Sequence, residues 1–434
     1  MSRFFISAFC LVLSLSIKAQ PAVPIVVAGP VIGNVTQHTA RLWIGYKGNV
    51  PTILTLQDTL DKTIITPIKI SKLGYSKTDT AAIADFEGLQ SGHCYTAVSS
   101  IKAKKPVHCS FVTPDDSAVK DFDFLVGSCA LMNTGITRVA FPGASVRIFR
   151  HMAQAKASMM VWLGDNIYYL INDFKSYSNM FFRNLDVRCK FGLLNTFLAT
   201  QPNYTIWDDH DYGWNDSDKH FPLKDTALIV YKAFWPNYYV DSQITYFTFR
   251  RYDAQFFMTD GRWFRDKEGD TSTDFLGQQQ LIWLKNELQN SNATFKFICI
   301  GSQVLNDNHH GESYAKFPKE RNELLDFIAD RNIKGVIFLT GDKHYSELSL
   351  RDWRGYPLFD FTCSPITSPV VARNGMAAYK NSYSVKGSVF YRKNYGRIYL
   401  TGHAGARVCH LELHGKSGAK IWEYSIDANS IQKK

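Results

Sequence analysis

The stretch Tyr204-Thr205-Ile206-Trp207-Asp208-Asp209-His210-Asp211-Tyr212-Gly213-Trp214-Asn215-Asp216 decides how the rest of the chain is read. Its apolar start has the character of a buried strand. The residues that follow place four carboxylates, a histidine and an amide within nine positions. A polar cluster at the C-terminal mouth of a strand is where open α/β sheets hold their ligands. Carboxylates this close repel one another unless a cation shares the site. An exposed acidic loop accounts for the charge but leaves the flanking Trp207, Tyr212 and Trp214 unexplained. The stretch points to a metal or catalytic site.

The same pattern recurs on both sides of it. Phe122 to Val126 is strand-like and ends in Gly127-Ser128-Cys129. An amphipathic run from Ser145 to Ala157 follows, then a buried strand, Met159 to Leu163, ending in Gly164-Asp165. A single long helix is expected over roughly Phe174 to Thr200, before the strand that leads to Asp208. This β-α-β-α-β alternation predicts a layered α/β domain. Helices are expected over Asp225–Phe234, Phe275–Leu288 and Glu320–Arg331. Strands are expected over Thr245–Arg250 and Ala254–Met258, the second running into Asp260-Gly261-Arg262. Phe295–Ile300 leads to Gly301-Ser302-Gln303, and Gly335–Leu339 to Gly341-Asp342-Lys343-His344. From Tyr345 the pattern is mostly β, with runs at Leu358–Thr362, Ser388–Tyr391, Ile398–Thr401, Arg407–Leu413 and Lys420–Tyr424. Residues 20–115, with short alternating runs such as Ala40–Ile44 and Tyr95–Val98, predict a small all-β sandwich. Pro114 to Ser117 reads as a linker, which leaves 120–434 as the catalytic domain.

Composition narrows the function classes. A chain that is 45% hydrophobic and 14% aromatic builds a large core and is not disordered. The formal charge of +10 is scattered, with Lys102, Lys104 and Lys105 its densest group. That suits mild steering of anions, whereas a nucleic-acid-binding module concentrates its charge in a stripe. Residues 1–19 read as a signal peptide: Arg3 is its positive start, Phe4 to Ile17 its apolar core, and cleavage falls before Gln20. This run is shorter than the roughly 20 residues a bilayer requires, and no second long apolar run follows. The expectation is a secreted or periplasmic protein with no transmembrane anchor, acting as a monomer. Of eight cysteines, Cys10 lies in the signal, and Cys94 and Cys109 are candidates to pair after export.

Four strand-like runs thus end in potential ligands: Cys129, Asp165, Asp209 with His210, and Asp342 with His344. One Gly-Asp after a strand is commonly a turn cap; the repetition is what argues for a metal site. A dinuclear site needs a bridging carboxylate, and Asp165 is the candidate. Tyr168 can offer a phenolate and Cys129 a thiolate. The oxygens of Asp209 and Asp342 suit a second, hard cation. His210 is free to stay off the metal and serve the substrate, while His344 faces the same way as Asp342 on an extended segment. Arg262 and Arg265 follow the apolar strand into the same face, and a guanidinium there, Arg262 above all, is a candidate phosphate clamp, with a structural ion pair as its alternative. His309 and His310 read as a loop that gates the site.

These residues resemble the alkaline phosphatase D (PhoD-like) branch of the calcineurin-like metallophosphoesterases. The resemblance runs through Gly29–Thr36 with Ala40–Trp43, Gly127-Ser128-Cys129, Gly164-Asp165-Asn166-Ile167-Tyr168 and Trp207-Asp208-Asp209-His210-Asp211. It continues through Gly301-Ser302-Gln303-Val304, Leu339–His344 and Thr362–Ser368. It implies an αββα sandwich, preceded by the β domain, with Fe(3+) and Ca(2+) as cofactors. Cys129, Asp165 and Tyr168 would hold iron, with Asp165 bridging. Asp209, Asp342 and His344 would complete the site, and His210 would lie near the substrate oxygens. The function implied is hydrolysis of a phosphate ester by a metal-activated hydroxide that attacks phosphorus. The alternatives are a phosphodiesterase or phospholipase with little monoesterase activity, and a non-catalytic, metal-stabilised binding protein. Tyr169 and Asp211 depart from the family pattern and bear on the substrate pocket.

Overall fold

The computed structural model describes residues 25–48, 54–74, 79–103, 108–115, 119–132, 146–269, 273–307, 311–370 and 380–433. The expected signal peptide, 1–19, and the pair His309 and His310 lie outside them.

The N-terminal strands are β1 Ile25–Val35, β2 Thr39–Lys47, β3 Leu54–Asp58, β4 Ile64–Ile65, β5 Lys69–Gly74, β6 Asp79–Glu87, β7 Cys94–Ser99 and β8 Ser110–Val112. They pair antiparallel in two four-stranded sheets, ordered β1-β2-β6-β5 and β4-β3-β7-β8. Leu42 and Ile44 from one sheet and Leu56, Tyr95 and Phe111 from the other share one apolar core. This is the face-to-face packing of a sandwich. The register rules out the expected cysteine pair. Cys94 lies opposite Val112, whereas the carbonyl of Cys109 accepts from the amide of Ala97 at 2.9 Å. Three residues of offset amount to about 10 Å along a strand, too far for a disulfide, and both thiols are free.

The rest of the chain builds two six-stranded sheets. Their strands are β9 Phe122–Gly127, β10 Met160–Leu163, β11 Asn203–Ile206, β12 Phe247–Arg251, β13 Ala254–Met258, β14 Phe295–Ile300, β15 Val336–Thr340, β16 Glu347–Trp353, β17 Tyr356–Thr362, β18 Asn394–Thr401, β19 Val408–Gly415 and β20 Lys420–Asp427. The orders are β11-β10-β9-β18-β19-β20 and β12-β13-β14-β15-β17-β16. Strands β9, β10 and β11 are mutually parallel, as are β13, β14, β15 and β17. Parallel sheets need cover on both faces, which is why β10, β11, β13, β14 and β15 are buried along their whole length. The sheets face each other through aromatic rings: Phe124 on β9 lies 5.0 Å from Phe256 on β13 and 5.2 Å from Phe297 on β14.

Helices cover the outer faces. Phe149 and Phe197, from the helices Ile148–Gln154 and Gly192–Leu198, pack on Trp162 of β10. Leu281, Leu284 and Leu288 of Gln278–Asn290 and Leu324, Leu325 and Ile328 of Pro318–Asp330 belong to the core shared with the second sheet. The layering is αββα, as the resemblance implies. The single long helix expected over 174–200 is instead two, Tyr177–Lys190 and Gly192–Leu198, which meet at a non-helical Phe191. Ser388 to Tyr391 makes an isolated bridge from Phe390 to Ser346, not a strand. The β1 strand docks on the first α/β layer: Asn203 donates to the Ile32 carbonyl at 2.9 Å, and Tyr204 to that of Val35 at 3.0 Å. Gly33 permits this approach, since a Cβ there would meet the Pro236 carbonyl at 2.1 Å.

Candidate metal centre

The ends of β9, β10, β11 and β15 each turn sharply into the same space. Cys129, Asp165, Asp342 and His344 all have left-handed backbone, with φ of 57°, 55°, 67° and 57°. For a residue with a Cβ this conformation costs roughly 1–2 kcal/mol, and such positions gather where the surrounding structure over-determines them. Here the turns are locked to one another. The amide of Ala130 donates to the Asp165 carbonyl at 2.9 Å, and Gly341 to Gly301 at 2.8 Å. Two glycines make room for the acidic stretch: a Cβ on Gly164 would meet Asp208 Cβ at 2.5 Å, and one on Gly301 would meet Asp208 Oδ2 at 2.5 Å.

Of the expected site residues, Cys129, Asp165, Tyr168, Asp209, His210 and His344 come together here. Cys129 Sγ lies 3.5 Å from Asp165 Oδ2 and 3.5 Å from the Asp342 carbonyl. Tyr168 Oη donates to Asp165 Oδ2 at 2.9 Å. The backbone N–H of His210 reaches Asp165 Oδ1 at 3.3 Å and Asp209 Oδ1 at 2.9 Å. Its ring stands 4.1 Å from that of Tyr168. Three groups bring ligand atoms within 4.8 Å of one another: Cys129, Asp165 and His344; Asp165, Asp209 and His210; and Asp208, Asp209 and Glu312. Asp165 is common to the first two groups and Asp209 to the last two, so carboxylates link them in series. The carboxylate of Asp342 enters none of the three, although Lys343, Glu312 and Asp209 all act on its charge.

The electrostatics test whether this donor set fits a cation. Burial raises the Cys129 thiol well above its ordinary value, and the charges of Asp165 and Asp342 add to the effect. Burial also raises Asp165, with Asp209 the next cause, and raises Tyr168, with Asp165 the next. Asp342 is pushed up to about 7 by burial, and burial lowers His344 to about 4, with His210 next. For Asp209 burial acts upward too, but His210, Arg262 and the Asp216 amide outweigh it and hold the group below its ordinary value. Among the described residues Asp165 has no ion pair. A thiol, a phenol and a carboxyl held together out of water favour their protonated forms, and a multivalent cation reverses that preference. The donors present fit metal ions.

The third group is different because it contains a cation already. Arg262 is fully buried. Its Nε donates to Asp208 Oδ1 at 2.6 Å, its Nη1 to Glu312 Oε1 at 2.8 Å and the Ser217 carbonyl at 3.3 Å, and its Nη2 pairs with Glu312 Oε2. Nη2 also stands 3.8 Å from Asp209 Oδ1. Arg265 adds a 2.7 Å contact to Glu312. This corrects the expectation of a phosphate clamp: the guanidinium is spent on carboxylates and reaches no solvent.

Several roles were not foreseen. Ser364 Oγ donates to Cys129 Sγ at 3.2 Å and Ser368 Oγ to Tyr168 Oη at 3.0 Å. Both serines lie in the Thr362–Ser368 motif, just past β17, so their proximity to a strand end was the available signal. Asp208 lies inside the opening stretch, and its Oδ2 is buried with no hydrogen-bond partner. Glu312 had no signal at all. Asp211, the departure from the family pattern, faces away from the ligands: it accepts from the amides of Asn166, Ile167 and Asp208 at 3.0–3.2 Å and so fixes the loop that carries Asp165. Gln303 also turns away, donating to Thr362 Oγ1 at 2.9 Å and Glu347 at 3.1 Å.

An αββα sandwich with linked, buried ligand groups at its strand ends defines a metal-binding α/β class of protein. Within that class the chain belongs to the PhoD-like phosphatase family, whose description matches residues 192–413. Alkaline phosphatase D of Bacillus subtilis (strain 168) is 24% identical over 252 residues, which are 46% of this chain. The match takes in 43% of the length of that relative. A solved structure titled "Structure of PhoD" superposes with a TM-score of 0.70 at 18% identity, covering 91% of each chain. At that identity the likeness shows the fold.

Proposed function

We propose that this protein is an exported, metal-dependent phosphoric-ester hydrolase, an alkaline phosphatase D-like enzyme. The observation that carries the reading is the series of ligand groups linked by Asp165 and Asp209 at the strand ends. On this reading 1–19 is the signal peptide, 20–115 the β domain and 120–434 the catalytic domain, and the enzyme works as a secreted or periplasmic monomer. No helix among the described residues is long and apolar enough to cross a membrane.

Cys129, Asp165 and Tyr168 would hold Fe(3+), with Asp165 bridging; the oxygens of Asp209 and Asp342 would serve Ca(2+), and His344, beside Cys129 and Asp165, would complete the site. Bound metal ions supply charge for the phosphoryl oxygens and lower the pKa of a coordinated water. The protein's own groups do the rest. The amide of His210 is tied to Asp165 and Asp209, and its ring is held against Tyr168 at the half-exposed edge of the cluster. That position suits a hydrogen bond to a phosphoryl oxygen or a proton for the departing alkoxide. Arg262 positions Asp208 and Asp209 and leaves substrate contact to others. Ser364 and Ser368 orient the thiol and the phenol.

The test is turnover by purified protein of measured metal content, on monoester, diester and phospholipid substrates. Hydrolysis should fall with EGTA and return with calcium but not with zinc. The panel separates a monoesterase from a diesterase or phospholipase. Full metal occupancy with no turnover on any ester would leave a metal-stabilised binding protein.

A further inference from the structure

At the opposite end of the strands lies a cavity of about 620 Å³, between β7 and β8 of the N-terminal sandwich and the segments that lead into β10 and β11. Ser158 and Pro202, just before those strands, line it, whereas Asp165 and Asp209 follow their far ends. Four residues of β10 separate the two by about 13 Å. Among the described residues that line it there is no carboxylate, and three side chains are able to carry positive charge: Arg251, Lys156 and His108.

Arg251 is the informative one. It is 4% exposed, its Nε is buried with no hydrogen-bond partner, and its guanidinium has no ion pair among the described residues. The nearest acid in the chain, Asp253, faces Arg407 at 3.2 Å. A buried cation without a counter-ion is costly, and proteins rarely retain one with nothing to pair it. Phe111 and Tyr252 supply apolar wall beside it, and Thr200 a hydroxyl.

We propose that this cavity is a second, non-catalytic site for a phosphate-bearing ligand, with Arg251 as its buried anchor and Lys156 at its exposed rim. A guanidinium and an ammonium around a pocket whose described lining carries no acid match a doubly charged oxyanion. The apolar wall suits an ester's organic group, and free phosphate would use the polar side alone. The inference stands apart from the hydrolase reading, since none of its residues touches the acid cluster.

Equilibrium dialysis of the full chain against inorganic phosphate and against phenylphosphonate, which resists hydrolysis, tests it. One class of bound anion should weaken at least about tenfold in Arg251→Gln, the loss of a charged hydrogen bond. The same class should weaken in Lys156→Glu, an exposed change that spares the core. Tighter phenylphosphonate binding in that class would mark an organic phosphate as the ligand, and equal binding free phosphate. Binding unchanged in both variants overturns the proposal. A second readout guards against misfolding: Arg251→Met should raise the thermal midpoint in phosphate-free buffer, because it removes an uncompensated buried charge. A lower midpoint would mark a structural arginine and overturn the proposal as well.

Discussion

The two sides of the acid cluster hold similar carboxylates and solve the problem of burying them differently. Among the described residues no lysine or arginine pairs with the acids around Cys129, Asp165 and Tyr168, and burial drives all three toward their protonated forms. Around Asp208 and Glu312 the guanidinium of Arg262 provides the counter-charge, and Arg262 with Arg265 holds Glu312 below its ordinary value against the pull of burial. Both sides have the spacing of metal ligands. The lesson is that spacing alone does not identify a metal site. The side that lacks an organic cation is the one that needs an inorganic one, and Asp209 sits where the two arrangements meet.

Asp165→Asn should break this comparison most severely. A neutral amide cannot serve the two ligand groups that share this carboxylate, so metal content and turnover should both collapse. The fall in kcat/KM should exceed the 10- to 100-fold typical of changes one layer further out, about 100-fold or more. Elemental analysis beside a rate decides it, and a variant that keeps its metals and its activity would remove Asp165 from the bridge.

Arg262→Gln tests the other side. If the arginine is the built-in counter-ion, its loss leaves Asp208 buried and unpaired and Glu312 with Arg265 alone, at a cost of about 3–5 kcal/mol in stability. Added divalent cation should restore part of the lost thermal midpoint, because a metal would then take the guanidinium's place. A phosphate clamp predicts the reverse: a higher KM with an unchanged midpoint.

That distinction was beyond the reach of the sequence, and the reason is physical. The strand ends were legible because an apolar run followed by Gly-Asp or Gly-Ser-Cys reports both a buried strand and the residue it delivers. Cys129, Asp165, Tyr168, Asp209, His210 and His344 meet for that reason. Arg262 follows a strand too, but sequence does not say whether a guanidinium faces substrate or carboxylate. Glu312 follows no strand and meets Arg262 only through tertiary convergence. Cys94 and Cys109 failed on register, which depends on the pairing of β7 with β8 and not on their separation along the chain. The break at Phe191 was hidden because the apolar pattern runs on across it.

His210→Ala sharpens the comparison at the point where the two sides meet, since the imidazole is one of the groups that hold Asp209 below its ordinary value. The backbone N–H that binds Asp165 and Asp209 is retained, so metal content should hold. Loss of the imidazole should lower turnover by about 10²- to 10⁴-fold, the range for a positioned acid or base. Metal loss in this variant would move the ring from the substrate side into the ligand set.

Tyr168→Phe should have the smallest effect on rate and a distinct spectroscopic one. If the phenol and the Cys129 thiol both bind Fe(3+), each adds a ligand-to-metal charge-transfer band in the visible, which calcium and zinc cannot produce. Phenylalanine removes one donor and frees two partners, Asp165 Oδ2 and Ser368 Oγ, whose loss costs about 1 kcal/mol in stability. The ring and its contact with His210 at 4.1 Å remain, so the substrate side should be little altered. The band should therefore weaken or shift while most of the turnover survives, and Cys129→Ser should change the spectrum independently. Spectra and iron content measured together separate the outcomes. An active wild-type protein that is colourless and iron-free would show that the cation required by this side of the cluster is not iron. A spectrum unmoved by Tyr168→Phe would leave the phenol as a hydrogen-bond donor to Asp165 and nothing more.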